Sequence, residues 1–251
     1  MTNSVDADLR LDRLLCLLAL GTRSQVREMI KAGRVSLNGQ TVRSAEDHAR
    51  PGDQLMVDGV GINARTTRHI LLNKPCGVLT AARDKKQQTV FDLLPPVFEA
   101  CGCMPVGRLD KDTEGLLLFT TDGTLSHLLL SPKRHVWKCY AATVDGPLDA
   151  EDVTAFSQGL VLSDFTALPA RLEILSSAPD CATAHVWVHE GKYHQVRRMF
   201  AARRRTVTAL KRLTFGPLTL DDHLPPGAWR DLTNDELLAL KESVKGEEHG
   251  V

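Results

Sequence analysis

The fold is decided by a stretch near the middle of the chain, Gly107-Arg108-Leu109-Asp110-Lys111-Asp112-Thr113-Glu114-Gly115-Leu116-Leu117-Leu118. The apolar run that ends it lies between a glycine and the turn residues Asp122-Gly123, which is typical of a buried strand. Asp110 therefore lies on a loop directly before a rigid element, where functional carboxylates are often found. From these residues alone, a turn-forming Asp110 beside a solvated Arg108 is the simpler interpretation, because Asp and Gly are common in turns.

Length and composition exclude several classes of protein. The 251 residues, 43% of them hydrophobic, are enough for one large domain or two to three small ones with a sizeable core. The longest apolar patch, residues 14–20, is too short to cross a membrane, and the polar, acidic N-terminus is unlike a signal peptide. The six cysteines include no CxxC pair and the histidines show no metal-ligand spacing. We therefore predict reduced thiols, no metal and a cytoplasmic protein.

Charge is distributed unevenly along the chain, although the formal net charge is zero. Residues 186–213 carry eight Lys or Arg and one acid, whereas residues 146–185 carry one base and six acids, and residues 214–251 carry three bases and eight acids. A solvated charge run explains single arginines but explains this asymmetry less well. The cationic segment favours a nucleic-acid partner.

The N-terminal region predicts a small module of helices and short strands. Leucines at spacings of three and four predict a helix over residues 10–21. A second helix over residues 25–32 follows, capped by Thr22 or Ser24. Asn38-Gly39 then predicts a hairpin between short strands. Cations recur at a spacing of four on the second helix and line one face, which suits a nucleic-acid backbone. These cations are Arg23, Arg27 and Lys31, followed by Arg34.

Two short helices, the Asn-Gly hairpin and a Pro-Gly-Asp turn before a final strand resemble the S4 RNA-binding domain, over residues 9–59. The resemblance implies RNA binding through the basic face of the second helix. A small adaptor that binds protein is the alternative. Residues 60–68 are polar and contain glycine, and they show no apolar periodicity. They are predicted to form a linker.

The rest of the chain carries three motifs in the order found in pseudouridine synthases. Gly107-Arg108-Leu109-Asp110, Thr113 and Gly115-Leu116-Leu117-Leu118 resemble the active-site motif of that family, in the RsuA branch that acts on small-subunit ribosomal RNA. Asn73-Lys74-Pro75-x-Gly77 resembles the family's opening segment, and Lys138-x-Tyr140 resembles its second motif. Glu190-Gly191-x-x-His194-Gln195-Val196-Arg197-Arg198-Met199 resembles the third.

The resemblance implies a catalytic set of Asp110, Tyr140 and Arg197. Asp110 can attack as a nucleophile, as carboxylates do in glycosidases, and three roles are open for it: attack on the sugar, attack on the base, or removal of a sugar proton. Tyr140 would hold the extruded base by stacking, and Arg197 would pair with Asp110 and keep it ionised. Without the resemblance, Tyr140 would be interpreted as a core aromatic and Arg197 as a surface cation.

The resemblance also implies RNA contacts outside this set. Arg108 would fill the space that the base vacates or contact the RNA backbone, and Leu213 would form an apolar wall of the pocket. Lys74 would face RNA, although a structural role is an equal alternative. Lys138 and Arg198 complete the predicted contacts, beside the four N-terminal cations.

The implied fold is α+β. An S4 module and the linker precede a catalytic domain over residues 69–243, whose mixed, mainly antiparallel sheet is flanked by helices. Residues 244–251 are predicted to form a polar tail. The chain departs from the family at Arg203-Arg204-Arg205, where relatives usually carry a helix stop with Gly or Asn. The end of that helix is therefore left open.

The implied function is that of an isomerase, which converts a specific uridine to pseudouridine in ribosomal RNA. The reaction makes no net redox change and needs no energy input, so no cofactor is expected. Tyr193-His194-Gln195 and the ending Pro-Gly-Ala-Trp-Arg favour 16S (small-subunit) rRNA. The alternatives are 23S (large-subunit) rRNA and a non-catalytic rRNA-binding assembly factor. The expected partner is ribosomal RNA or a ribosomal subunit assembly particle, bound by a monomer.

Overall fold

The computed structural model describes residues 4–245 and divides the chain into two compact units. The first unit comprises the described part of Met1–His69 with Leu94–Met104 and Thr120–Asp122. The second comprises Ile70–Leu93, Pro105–Phe119 and the described part of Gly123–Val251. Each unit has its own hydrophobic core.

The first unit contains three helices and six short strands among its described residues. They are β1 (Leu9–Arg10), α1 (Leu11–Leu17), α2 (Arg23–Lys31), β2 (Val35–Leu37), β3 (Gln40–Thr41), β4 (His48–Ala49), β5 (Leu55–Val57), β6 (Val60–Gly61) and α3 (Pro96–Ala100). The leucine repeat of α1 is buried as its spacing predicts, at Leu11, Leu14, Leu15 and Leu18. Thr22 caps α2: its hydroxyl accepts from the Gln25 N–H, while the Gln25 side chain accepts from the Thr22 N–H.

The strands of the first unit form a sheet in the order β3-β2-β5-β6, beside the pair β1-β4. Asn38 and Gly39 both have positive φ, as the predicted hairpin turn requires. The predicted linker over residues 60–68 is wrong at its start, because β6 pairs with β5 and Ala64 is fully buried in the core of this unit. A two-residue strand is too short to produce a periodic sequence signal.

The remaining elements belong wholly or mostly to the second unit. They are β7 (His69–Lys74), β8 (Met104–Pro105), β9 (Glu114–Thr120), α4 (Gly123–Leu130), β10 (Lys138–Val144), α5 (Ala150–Gln158), β11 (Arg171–Ala178), β12 (Cys181–Val188), α6 (Gln195–Ala202), β13 (Val207–Phe215), β14 (Leu218–Thr219), β15 (Trp229–Asp231) and α7 (Asn234–Glu242). Single 3₁₀ turns lie at Val90–Leu93 and Pro132–Arg134.

A nine-stranded sheet organises this unit. Its strands follow the order β11-β12-β10-β13-β9-β7-β15, with β14 added to β13 and β8 to β9. The pairs around β10, β11 and β12 are antiparallel, whereas β13 and β9 run parallel, with Arg212 opposite Gly115. The predicted α+β fold, with a mixed and mainly antiparallel sheet, is confirmed.

Two hydrophobic cores pack against this sheet. One joins β10–β13 to α5 and α6, where the rings of Phe156 and Phe200 lie 5.1 Å apart. The other surrounds β9, whose residues Leu116, Leu117, Leu118 and Phe119 are all fully buried. Burial on both faces explains why β9 reads as a continuous apolar run. The strand is a rigid base for the loop that precedes it.

The polar C-terminal tail was predicted to begin at residue 244. Val244 is only 4% exposed and packs in the core around β9 and α7, so the packed part of the chain extends past the predicted end of the domain. Residues 246–251 lie outside the described residues. Within the described part of the chain, no helix is long and apolar enough to span a bilayer.

Helix α6 ends without a glycine or an asparagine. Arg204 itself takes the left-handed conformation, with φ of +59°, and its N–H donates to the carbonyl of Ala201. The next N–H, of Arg205, donates to the carbonyl of Phe200, which closes the helix in the usual C-terminal manner. The departure from the family pattern therefore changes the residue at the helix end and not the turn.

We expect Arg204→Gly to stabilise the protein by roughly 0.5–1 kcal/mol, because glycine adopts positive φ without the steric cost of a Cβ atom. Urea unfolding at neutral pH measures this difference. Arg204→Ala is the matched control, since it removes the same charge but keeps the Cβ atom. An equal gain in both variants would show that charge, and not backbone conformation, is responsible.

Candidate active site

Asp110 lies on the loop between β8 and β9, and hydrogen bonds fix the backbone on both sides of it. The Thr80 hydroxyl donates to the Leu109 carbonyl (2.7 Å) and accepts from the Leu109 N–H (3.2 Å). On the other side, the Thr113 N–H donates to the Asp110 carbonyl (3.1 Å). The carboxylate is thus presented from a fixed turn.

Cations hold three successive carbonyls of the same loop. The Lys74 Nζ donates to the carbonyls of Lys111 (3.1 Å) and Thr113 (2.9 Å), and also to that of Pro75 (3.0 Å). The Arg197 Nη2 donates to the carbonyl of Asp112 (3.0 Å), which lies between Lys111 and Thr113 in the loop. Charge-assisted hydrogen bonds of this kind are stronger than neutral ones. Together they hold the loop in the shape that presents Asp110.

The predicted RNA contact of Lys74 is wrong. Its side chain is 0% exposed, so no RNA atom reaches the ammonium. Burial lowers the pKa of Lys74 to about 8, and the three carbonyls supply the hydrogen bonds that water would otherwise provide. The structural alternative for this lysine is the correct one.

A solvent-open pocket of about 450 Å³ brings the predicted catalytic residues together. Asp110, Tyr140 and Arg197 all line it, and so does Arg108, whose side chain is exposed. Apolar side chains complete the wall, namely Leu109, Val188, Val196 and Leu210. Asp110 and Arg197, which are 87 positions apart in sequence, thus share one site, as the family motifs imply.

The predicted ion pair between Arg197 and Asp110 is wrong. Arg197 donates instead to the carbonyls of Asp112 and Val207, each at 3.0 Å. Among the described residues, the basic side chain that contacts the Asp110 carboxylate is that of His194, with Nε2 3.6 Å from Oδ1. The Asp110 side chain is 35% exposed, so water also reaches it. Arg197 therefore positions the loop and does not neutralise the carboxylate directly.

His194 is a site residue to which the sequence interpretation gave no role. It precedes α6 in the left-handed conformation, with φ of +50°, which histidine adopts more readily than most residues. Its ring stacks on that of Tyr193, with centroids 3.9 Å apart. The third motif contains His194, but only the fold shows that its ring meets Asp110.

The two leucines of β13 after Ala209, Leu210 and Leu213, are three residues apart, and Leu213 lies at a β-bulge. Cys139 pairs with Thr214 and Tyr140 with Arg212, so Leu213 is the extra residue on β13. Bulges re-aim side chains and are frequent beside active sites. Leu210, opposite Ala142, lines the pocket, whereas Leu213 does not. The prediction of Leu213 as a pocket wall is wrong.

Two other residues that are predicted to contact RNA, Lys138 and Arg198, bind groups of the second unit. Lys138 is 7% exposed and donates to the Val136 carbonyl (2.8 Å), so it is not a surface cation, although it lines a groove beside the pocket. Arg198 forms an ion pair with Asp164 and donates to the Ser163 hydroxyl. An RNA contact by Arg198 stays a prediction, and it would require that ion pair to break.

The predicted N-terminal cations lie on the first unit. Arg27 donates to the buried Asp12 (3.1 Å), Arg23 lies 3.8 Å from the same carboxylate, and Arg34 pairs with Asp58. Lys31 is exposed and forms no ion pair with another described residue. One carboxylate between two arginines leaves that part of the helix positive, and RNA binding by this face stays a prediction.

Lys74 gives the stability of the protein a specific pH dependence. Its pKa is about 8 in the folded protein and 10.5 ordinarily, so the unfolded chain binds more protons between these values. Stability therefore rises with pH across this window and is lowest below pH 8. We expect the stability of the wild type relative to Lys74→Met to increase by about 2 kcal/mol between pH 8 and pH 10.

Urea unfolding of both proteins at several pH values tests this expectation. Burial also lowers the pKa of Lys138 to about 8. Because Lys138 is present in both proteins, its contribution to the pH dependence cancels in the difference. Lys133→Met, at an exposed lysine, is the matched control and should leave the difference from wild type constant with pH. If the difference in unfolding free energy between wild type and Lys74→Met is also constant with pH, Lys74 is not a buried ammonium with a lowered pKa.

Comparison with known proteins adds independent findings. The sequence profile described as RNA pseudouridylate synthase matches residues 68–202, and that of the S4 domain matches residues 9–55. The uncharacterised RNA pseudouridine synthase YtzG of Bacillus subtilis is 40% identical, over 93% of this chain and 99% of that protein. Ribosomal small subunit pseudouridine synthase A of Pseudomonas aeruginosa is 37% identical, over 92% of this chain and 100% of that protein. A crystal structure of a pseudouridylate synthase superposes with a TM-score of 0.64 at 33% identity, over 92% of this chain and 99% of that one.

Proposed function

This chain belongs to the RNA pseudouridylate synthase family, and from that premise we propose that it converts one uridine of small-subunit (16S) rRNA to pseudouridine, with Asp110 as the attacking group. The observation that carries the proposal is the position of Asp110. Lys74 and Arg197 hold the three carbonyls that follow it in the loop, those of residues 111–113, and its side chain lines a pocket that Tyr140 also lines.

The proposed reaction uses one carboxylate twice. The target uridine leaves its stack and enters the pocket, which costs a few kcal/mol. The Asp110 carboxylate attacks carbon 1′ as the glycosidic bond to nitrogen 1 breaks, so the base leaves as its anion and turns. Carbon 5 of the base then attacks carbon 1′ and displaces the carboxylate. Carbon 5 loses its proton to solvent and nitrogen 1 takes one up, so Asp110 ends unchanged. Atoms and electrons balance within the substrate, so the chemistry itself calls for no cofactor.

The other residues act by position in this proposal. Tyr140 stacks on the extruded base while the base turns, and Leu210 and Val196 supply apolar surface beside it. Arg197 keeps the Asp110 loop in place through the Asp112 carbonyl. Arg108, exposed at the pocket, contacts the RNA backbone or fills the space that the base leaves.

The choice of RNA rests on two further findings. The S4 domain supplies a basic face, centred on Arg23, Arg27 and Lys31, that suits a phosphate backbone. Relatives from Vibrio cholerae and Pseudomonas aeruginosa, each covering 92% of this chain, are named as small-subunit enzymes. We propose that the protein acts in the cytoplasm as a monomer, on naked rRNA or on an assembling ribosomal subunit.

Pseudouridine mapping in both ribosomal RNAs, with and without the gene, tests the proposal. We expect one small-subunit uridine to lose its modification in the deletion strain and to regain it with the wild-type gene. A lost site in large-subunit rRNA would favour the 23S alternative. No lost site in either RNA, together with retained RNA binding, would favour the non-catalytic assembly factor. Purified protein, incubated with naked rRNA and with subunit particles in parallel, identifies the form that is modified.

A further inference from the structure

A second, wider groove of about 1090 Å³ lies beside the Asp110 pocket. Asp110, Arg108 and Glu190 line both, so the two spaces adjoin at the carboxylate. The proposed isomerisation takes place in the pocket and leaves the groove free. An RNA strand whose target uridine reaches Asp110 must place a neighbouring nucleotide close by, because successive nucleotides are covalently joined.

The groove contains a buried cation with unused hydrogen-bond donors. Lys138 is 7% exposed and lines the groove, and its ammonium lies over the Phe215 ring, 5.4 Å from the centroid, and makes one hydrogen bond among the described residues, to the Val136 carbonyl. An ammonium has three donors. Burial, with nearby Arg212 adding to it, lowers the pKa of Lys138 to about 8. Acceptor atoms brought by a ligand would relieve this unfavourable burial.

The sides of the groove are suited to a flat ring. Tyr193 is 71% exposed, one of its faces is covered by His194, and it lines the groove together with Leu130 and Pro132. The His189 ring lines it too, and burial lowers the pKa of His189, so this ring is neutral at physiological pH. Exposed aromatic side chains of this kind stack on unpaired bases of RNA.

We infer that this groove binds the nucleotide next to the target uridine and selects guanine there, through Lys138. The inference rests on the proposed function. Guanine presents two adjacent acceptors, O6 and N7, that a lysine can contact together. On the same edge, the one that faces the major groove in a duplex, adenine carries an amino donor beside N7, cytosine carries an amino donor, and uracil carries one acceptor, O4. A phosphate group is the weaker candidate, because exposed Arg108 can bind it at the rim without entering an aromatic groove.

Substituted RNA substrates test the inference. Short RNAs carrying the mapped uridine are compared with versions in which each flanking guanosine is replaced in turn. We expect 7-deazaguanosine, which lacks N7, to lower kcat/KM about tenfold on one flank, and adenosine to lower it further. Inosine keeps O6 and N7 and should leave kcat/KM near the original value. A modified site without guanine on either flank would overturn the inference directly.

Protein variants locate the effect. In Lys138→Met the preference for guanosine over 7-deazaguanosine should disappear, while Lys133→Met, a lysine outside the groove lining, should keep it. Tyr193→Ala, at an exposed side chain, should raise KM for every substrate without changing the preference. Thermal unfolding shows which variants fold. If none of them folds, the comparison of RNA substrates with wild-type protein still tests the inference.

The two proposals fail in different ways. If wild-type protein modifies no RNA, the proposed function is wrong. If it modifies all the flanking variants with equal kcat/KM, the function stands and the guanine subsite is wrong. A preference for guanosine that Lys138→Met retains would likewise overturn the assignment to this groove.

Discussion

Asp110→Asn is expected to lose pseudouridine formation by about 1,000-fold or more, equal to roughly 4 kcal/mol of transition-state stabilisation. Asparagine has nearly the same shape as aspartate, but its neutral amide neither attacks carbon nor takes up a proton. The fold should be unaffected, because among the described residues the carboxylate contacts one basic side chain, that of His194 at 3.6 Å, and is part-exposed. Pairs of this kind contribute less than about 1 kcal/mol.

Pseudouridine formed per unit time in rRNA measures this loss, with thermal unfolding and RNA binding as checks on the variant. Asp112→Asn is the matched control, since Asp112 lies two residues away and contributes its carbonyl, not its side chain, to the contact with Arg197. We expect the control to remain close to wild type. Loss of RNA binding in Asp110→Asn would mean that the residue binds substrate and does not perform chemistry.

Gly115→Ala is expected to destabilise the protein by about 4 kcal/mol or more, which is exceptional for a single methyl group. Gly115 has φ of +101° and pairs with Arg212 on β13. A Cβ atom there would lie 2.2 Å from the Arg212 carbonyl oxygen and 2.8 Å from its nitrogen. Both are backbone atoms, so the β9–β13 pairing would have to open. The glycine in the central motif is thus required for strand pairing.

Urea unfolding compares this variant with Gly123→Ala. Gly123 begins α4, and an added Cβ would meet no atom within 4 Å, so this control should be neutral or slightly stabilising. Activity of Gly115→Ala should fall with its folded fraction, because the displaced strand carries the Asp110 loop. A Gly115→Ala protein as stable as wild type would contradict the observed strand register.

Much of the fold could be predicted because its signals are local. The leucine spacing in α1, the Thr22 cap of α2 and the apolar run of β9 each depend on neighbours within about four residues or on burial of a whole segment. The family motifs added the catalytic domain. Short elements such as β6 (Val60–Gly61) carry no such signal, and pairing with β5 alone makes that segment a strand.

The roles of the cations could not be predicted in the same way. The sequence predicts that Lys74 faces RNA and that Arg197 pairs with the Asp110 carboxylate. In the structure, both side chains bind backbone carbonyls of the 107–115 loop. The sequence shows which residues are cations. The acceptor that each cation binds depends on backbone segments that are far away in sequence. Leu210 and not Leu213 lines the pocket, because residues three apart on one strand point to opposite faces of the sheet.

In the proposed reaction, Asp110 isomerises a uridine without any helper molecule. The most direct measurement uses rRNA labelled with tritium at carbon 5 of uridine, incubated with wild-type protein that has been dialysed against chelator and given no additive. We predict that tritium is released in the same molar amount as pseudouridine is formed, and that Asp110→Asn releases almost none. Release that continues in Asp110→Asn, or that begins only after a cofactor is supplied, would contradict the account.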